Sequence, residues 1–126
     1  MNAKIKTILV LGLGKVGSMA AALLQETGFD VIGGDMNAAD GMPFPVRKID
    51  IRPSSDFRMI REFDAVVSCL PYHFNIGLAA AAQEAGVHYF DLTEDVKTTQ
   101  AIIQMSATAR TVMAPQCGLA PGFIAI

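Results

Sequence analysis

Three glycines stand in the run Gly12-Leu13-Gly14-Lys15-Val16-Gly17, a G-x-G-x-x-G, and an acid, Asp35, follows at the end of the next apolar segment. Residues of these types make and break no bonds themselves. What their spacing offers is recognition of a diphosphate and a ribose. Gly12 permits a tight turn where a Cβ would clash. Gly14 lets the backbone approach a pyrophosphate, and Gly17 lets a helix lie close against a strand. The free N–H groups of the turn, which also holds Leu13, Lys15 and Val16, face phosphate oxygens with the positive end of a helix dipole behind them. Asp35 is placed to accept hydrogen bonds from ribose hydroxyls.

A G-x-G-x-x-G alone carries little weight, because glycines gather in the turns of many α/β proteins. The flanking elements give it weight here. Ile8-Leu9-Val10-Leu11 has the length and branching of a buried strand. Apolar residues then recur at helical spacing at Val16, Met19, Ala20, Leu23 and Leu24, and Gly28 closes the helix. Val31-Ile32 opens a second strand and Asp35 ends it. Thr7–Asp35 therefore reads as a dinucleotide-binding βαβ unit with its parts in order.

The whole chain sets bounds on the rest. Its 126 residues suit one domain with a core of its own. Hydrophobic residues make up 52% and charged residues 17%, a balance that suits a parallel sheet covered on both faces. A net charge of −2 argues against a nucleic-acid surface. Every apolar stretch is broken before the roughly 18 residues of a membrane helix. Met1–Lys6 leads into a strand with no cleavage pattern, so a cytoplasmic protein away from membranes is expected. Cys69 and Cys117 form no C-x-x-C and have no clustered histidines, so no metal site is expected and both read as small buried hydrophobes.

Beyond Asp35, Met36–Phe44 reads as a surface loop and Pro45–Asp50 as a third strand, apolar at Val46 and Ile49. Arg52–Ser55 breaks the chain before a short helix that turns Phe57, Ile60 and Phe63 inward. Ala65–Leu70 is a fourth strand stopped by Pro71, and His73–Ala85 a helix ended by Gly86. Val87–Asp91 is a fifth strand. Thr93 caps the next helix, with Glu94 and Asp95 in its first turn and Val96, Ile102, Ile103 and Met105 along it. Thr111–Ala114 is a sixth strand, ending at Pro115.

Strands alternating with helices predict a Rossmann-type, doubly wound parallel sheet of about six strands, in three α/β/α layers and the order 3-2-1-4-5-6. The switch point then lies between strands one and four. Ser68-Cys69-Leu70-Pro71 should face the glycine turn across the crevice, and Asp50 with Ile51, past strand three, should lie near the adenine.

Three segments together resemble the N-terminal part of the saccharopine dehydrogenase family, with its lysine dehydrogenase-like and carboxynorspermidine dehydrogenase-like members. They are Gly12–Gly17, then Val66–Asn75 with Ala85–Leu92, and Gly118–Phe123. The resemblance covers nearly the whole chain. It implies an NAD(P)-binding domain followed by a larger substrate and dimerisation domain, so a truncated domain is expected here, with residues 114–126 expected to begin the connection. It also implies hydride transfer at an amine or imine carbon of an amino-acid-like substrate, and a homodimer at full length; the fragment alone is expected to be inactive.

Asp35 would meet a 2′-phosphate as a like charge, Met36-Asn37-Ala38 supplies no guanidinium, and the nearest arginine is Arg47. NAD is therefore expected over NADP. No catalytic residue emerges. Lys15 faces solvent or phosphate, and His73 is either substrate-facing or a polar residue in a helix's first turn. His88 reads as structural, and Cys117 has no His/Asp arrangement to make it a nucleophile. Two alternatives remain: a regulatory nucleotide-binding module like the RCK/KTN domains of potassium channels, and a reductase of the dihydrodipicolinate reductase or homoserine dehydrogenase kind. His88–Leu92 and Cys117–Phe123 favour the dehydrogenase over the channel module. The apolar Leu119, Phe123, Ile124 and Ile126 lead to an expectation of self-association.

Overall fold

β1 (Thr7–Leu11) is the central strand of the structure, a computed structural model that describes residues 5–37, 41–50, 57–92, 96–108 and 111–114. Ile8, Leu9, Val10 and Leu11 are all buried, as an uninterrupted apolar run requires when both sheet faces are covered. α1 (Lys15–Thr27) leads to β2 (Asp30–Asp35), then β3 (Val46–Lys48) and a 3₁₀ helix at Arg58–Glu62. β4 (Ala65–Ser68) is followed by a 3₁₀ turn at Tyr72–Phe74, α2 (Asn75–Ala85), β5 (His88–Asp91), α3 (Val96–Ser106) and β6 (Met113–Ala114). The six strands form one parallel sheet in the order β3-β2-β1-β4-β5-β6. This is the Rossmann-type α/β fold expected from the alternation of elements.

Alternate strand residues feed two cores. On one face Leu9, Leu11, Val66 and Tyr89 pack with Leu78, Ala79 and Ala82 of α2, Ile102 of α3, and Phe57, Ile60 and Phe63 around the 3₁₀ helix. On the other, Ile8, Val10, Val31 and Ala65 pack with Ala21 of α1 and with Phe44. The left-handed glycines Gly28 and Gly86 end α1 and α2.

Several boundaries differ from expectation. β3 is shorter than Pro45–Asp50, and β4 stops at Ser68 rather than Leu70. α2 begins at Asn75 rather than His73, because the extended Pro71 leads first into the 3₁₀ turn. Along α3, Ile102 is buried while Ile103 is 55% exposed.

The larger correction concerns α1. Val16, Met19 and Leu23 lie 49%, 59% and 57% exposed, and the residues buried against the sheet are Gly17 and Ala21. A helix that touches its strand at a glycine must turn its small residues inward, and the bulky ones are carried outward. Thr93, Glu94 and Asp95, Arg52–Ser55, and residues 115–126 with Cys117 lie outside the described residues.

Candidate functional site

The carboxyl ends of β1, β2 and β4 are tied together at Gly12. Its φ of +90° is left-handed, its N–H donates to the Gly34 carbonyl at 2.9 Å, and a Cβ there would lie 2.8 Å from the Cys69 carbonyl oxygen. The Cys69 N–H in turn donates to the Leu11 carbonyl at 2.7 Å. Gly17 seats α1 on this turn, since a Cβ on it would fall 1.7 Å from the Gly12 carbonyl oxygen and 3.2 Å from the Cys69 Cβ. Substituting either glycine would force the turn apart.

Gly14 differs from both. It is exposed, its backbone is extended, and nothing lies within 4 Å of where a Cβ would sit. As the N-cap it supplies no side-chain oxygen, so α1 opens uncapped and its leading amides lack intrahelical acceptors. The first helical bond runs from the Ser18 N–H to the Gly14 carbonyl at 2.9 Å. Open space before an uncapped helix start, with the dipole behind it, fits a phosphate group.

Asp35 stands at the end of β2 beside this turn. Its Oδ1 accepts from the Leu13 N–H and its Oδ2 from the Asn37 N–H, each at 3.4 Å. Both contacts are longer than a relaxed hydrogen bond, which leaves the carboxylate able to take better donors. The Leu13 side chain packs into the α1-side core, while Lys15 and Val16 are exposed, so the turn offers its backbone to the crevice. Across from it, Cys69 is half-buried, Leu70 is buried with its Cδ2 3.1 Å from the Gly12 Cβ position, and Pro71 is exposed. Asp50 is exposed just past β3, where the Ile49 N–H donates to the Asp35 carbonyl at 2.8 Å. Ile51 lies outside the described residues. The fold thus gathers the glycine turn, Asp35, Asp50 and Cys69–Pro71 along one edge of the sheet.

Beneath this edge lies a polar group that sequence reasoning missed. Ser68 and Asp91 pair in register across β4 and β5, and both are buried. The Ser68 hydroxyl donates to Asn75 Oδ1 at 2.6 Å, and the Tyr89 hydroxyl donates to Asp91 Oδ2 at 2.6 Å. Asn75 Nδ2 is buried without a hydrogen-bond partner among the described residues. Desolvation, with the nearby Asp91 charge adding to it, pushes the Cys69 thiol up to about 11. The only legible signal was that Ser68 and Asn75 flank Pro71 at a strand end.

The two histidines separate. His73 is exposed on the 3₁₀ turn, its ring 4.3 Å from that of Phe74. His88 Nδ1 accepts from the Val112 N–H at 3.0 Å, a sheet-end structural contact. A hollow of about 270 Å³ lined by Phe57, Arg58, Ile60, Arg61, Ala81, Glu84 and Ala85 sits at the far end of α2, away from the crevice. No group of three His, Cys, Asp or Glu residues among the described residues could hold a metal ion. No helix among them is long and apolar enough to cross a membrane.

Solved structures share this fold. Apo saccharopine dehydrogenase (L-Glu forming) from Saccharomyces cerevisiae superposes with a TM-score of 0.70 at 17% identity, over 93% of this chain and 28% of that one. UDP-N-acetylglucosamine 3-dehydrogenase from Acidithiobacillus ferrooxidans gives 0.68 at 23% identity, over 90% and 39%. Scyllo-inositol dehydrogenase from Lactobacillus casei gives 0.66 at 19%, over 91% and 37%. The chain thus spans between a quarter and two fifths of the length of these structures. No curated protein matches it in sequence. Over residues 8–116 it matches the family described as the saccharopine dehydrogenase NADP binding domain, and with its six-stranded sheet and glycine turn the chain belongs to that family.

Proposed function

We propose that this chain is the cofactor-holding part of an oxidoreductase that moves a hydride to or from an amine or imine carbon of an amino-acid-like substrate. The observation that carries the reading is the glycine turn opening onto an uncapped helix start, with Asp35 beside it. The family match and the specific run Val66–Asn75 with Ala85–Leu92 support the amine class. The active enzyme is proposed to need a further substrate domain, and residues 114–126 the connection to it.

In this reading the amides of Gly12–Gly17 hold the pyrophosphate, Asp35 holds the adenosine ribose, and Asp50 borders the adenine. Cys69, Leu70 and Pro71 form the opposite wall and exclude water from the nicotinamide side. The bound dinucleotide supplies the hydride chemistry, and this chain's residues bind and orient it. The expectation of NAD over NADP, drawn from Asp35 and the lack of a nearby guanidinium, finds no support in a family described by NADP. NADP is the cofactor we propose.

The test separates binding from folding. Gly14→Val places its side chain in open space, so it should keep the melting temperature of the parent while weakening NADPH binding at least tenfold by fluorescence titration. Gly17→Ala meets the Gly12 carbonyl and should lower the melting temperature instead. Unchanged NADPH affinity in Gly14→Val would remove the glycine turn from the phosphate site.

A further inference from the structure

We infer that Lys48 is the residue that selects the 2′-phosphorylated dinucleotide, an assignment that rests on the cofactor site proposed above. In the β2–β3 register Gly33 faces Val46, Gly34 faces Arg47 and Asp35 faces Lys48. Val46 packs into the α1-side core, and a Cβ on Gly33 would point at Leu13 and Phe44 of that same core. Side chains alternate along a strand, so two residues further on Asp35 and Lys48 emerge together on the α1 side. Neighbouring strands lie about 4.8 Å apart, well within the reach of a lysine side chain. The ammonium of Lys48 can therefore reach a phosphate on a ribose that Asp35 holds.

Lys48 is exposed, and its side chain makes no hydrogen bond or ion pair among the described residues. Arg47, one residue earlier, turns to the opposite face. Its guanidinium lies 5.8 Å above the Phe63 ring and 3.3 Å from Glu62, so it is engaged away from the ribose. Asp35 then keeps a ribose hydroxyl, and Lys48 offsets the repulsion that a 2′-phosphate would otherwise meet. Asp35 thus does not meet a 2′-phosphate alone, because its neighbour across the strands carries the opposite charge.

Titrations of the whole chain with NADPH, NADH, 2′,5′-ADP and 5′-ADP test this. Lys48→Met should weaken NADPH and 2′,5′-ADP roughly tenfold to a hundredfold, the scale of a lost charge-assisted contact, and leave NADH and 5′-ADP within about twofold. Lys48→Arg should retain the preference for the phosphorylated pair. The NADPH effect should shrink at high salt, because the contact is at the surface. Equal weakening of all four ligands, or no change in any, would overturn the role of Lys48 while leaving the cofactor site standing. Failure of the parent chain to bind any of them would instead remove the cofactor reading and this inference with it. Lys48 is exposed, so unchanged melting temperatures in both variants are expected and exclude a folding defect as the cause.

Discussion

Cys69 stands on the crevice wall, its carbonyl oxygen 2.8 Å from where a Gly12 Cβ would lie and its Cβ 3.2 Å from that of Gly17. Burial and the Asp91 charge both disfavour its thiolate. A thiol pushed up to about 11 is protonated at neutral pH and is a poor nucleophile there. Alkylation of Cys69 by iodoacetamide, followed by mass spectrometry of its peptide, should be slow at pH 7 and accelerate only as the pH approaches 11. The stability linkage has the same sign. A raised folded value means the contribution is present below the ordinary thiol value of 9.0 and is lost as pH rises from there through about 11. Rapid labelling at pH 7 in the folded chain would contradict this account of the site. Residue chemistry here serves shape: a small, uncharged side chain lets a helix, a turn and a strand end meet.

At the scale of elements, β1 and β4 are joined at their starts as well as at the crevice. The Asp64 carboxylate, just before β4, accepts from the Lys6 N–H at 2.8 Å and the Thr7 N–H at 3.1 Å. The Asp64 N–H meets the Thr7 hydroxyl at 3.0 Å. These backbone donors hold the Asp64 carboxyl below its ordinary 3.8, the Lys6 amide first and the Thr7 amide next. A depressed carboxyl stabilises the fold above pH 3.8, and the contribution disappears as pH falls through the folded value. Asp64→Ala should cost on the order of 1 kcal/mol in urea unfolding at pH 7, the net worth of such bonds near solvent. The difference from the parent should narrow below pH 3.8. An equal gap at pH 7 and pH 3 would mean that the carboxylate charge does not tie the two strands.

Across the whole molecule the two sheet faces are covered unequally. Under α2 and α3, Val66 and Tyr89 are fully buried, whereas Val67 and Phe90, their neighbours on the α1 side, are only half-buried. α1 adds Val16, Met19 and Leu23 to that side as an exposed apolar stripe. Because this stripe contributes little to the core, the double variant Met19→Lys, Leu23→Glu should melt within about 0.5 kcal/mol of the parent. It should also scatter less light at high concentration. A loss of several degrees would show that the stripe is packed after all. The expected self-association through Leu119, Phe123, Ile124 and Ile126 falls on residues outside those described, and α1 gives the same experiment a second surface.

The sequence by itself determined the strand count, the strand order and the turn at Gly12–Gly17, because buried strands, helix stops and glycine turns are local patterns of polarity and backbone freedom. It also placed Asp35 at a strand end. What it could not decide was which side of α1 faces the sheet. Apolar spacing pointed to Val16, Met19, Ala20, Leu23 and Leu24. Leu24 does pack against the α1-side core, but contact at Gly17 rotates Ala21 inward and carries Val16, Met19 and Leu23 outward, and that is a matter of distance between two packed elements. Nor could it reveal which residue stands beside Asp35. Lys48 and Asp35 are separated along the chain by a loop whose length gives no register, and only the β2–β3 pairing brings their charges together on one face. The buried set of Ser68, Asn75, Tyr89 and Asp91 has the same origin, since strand neighbours are chosen by the sheet and not by the order of residues.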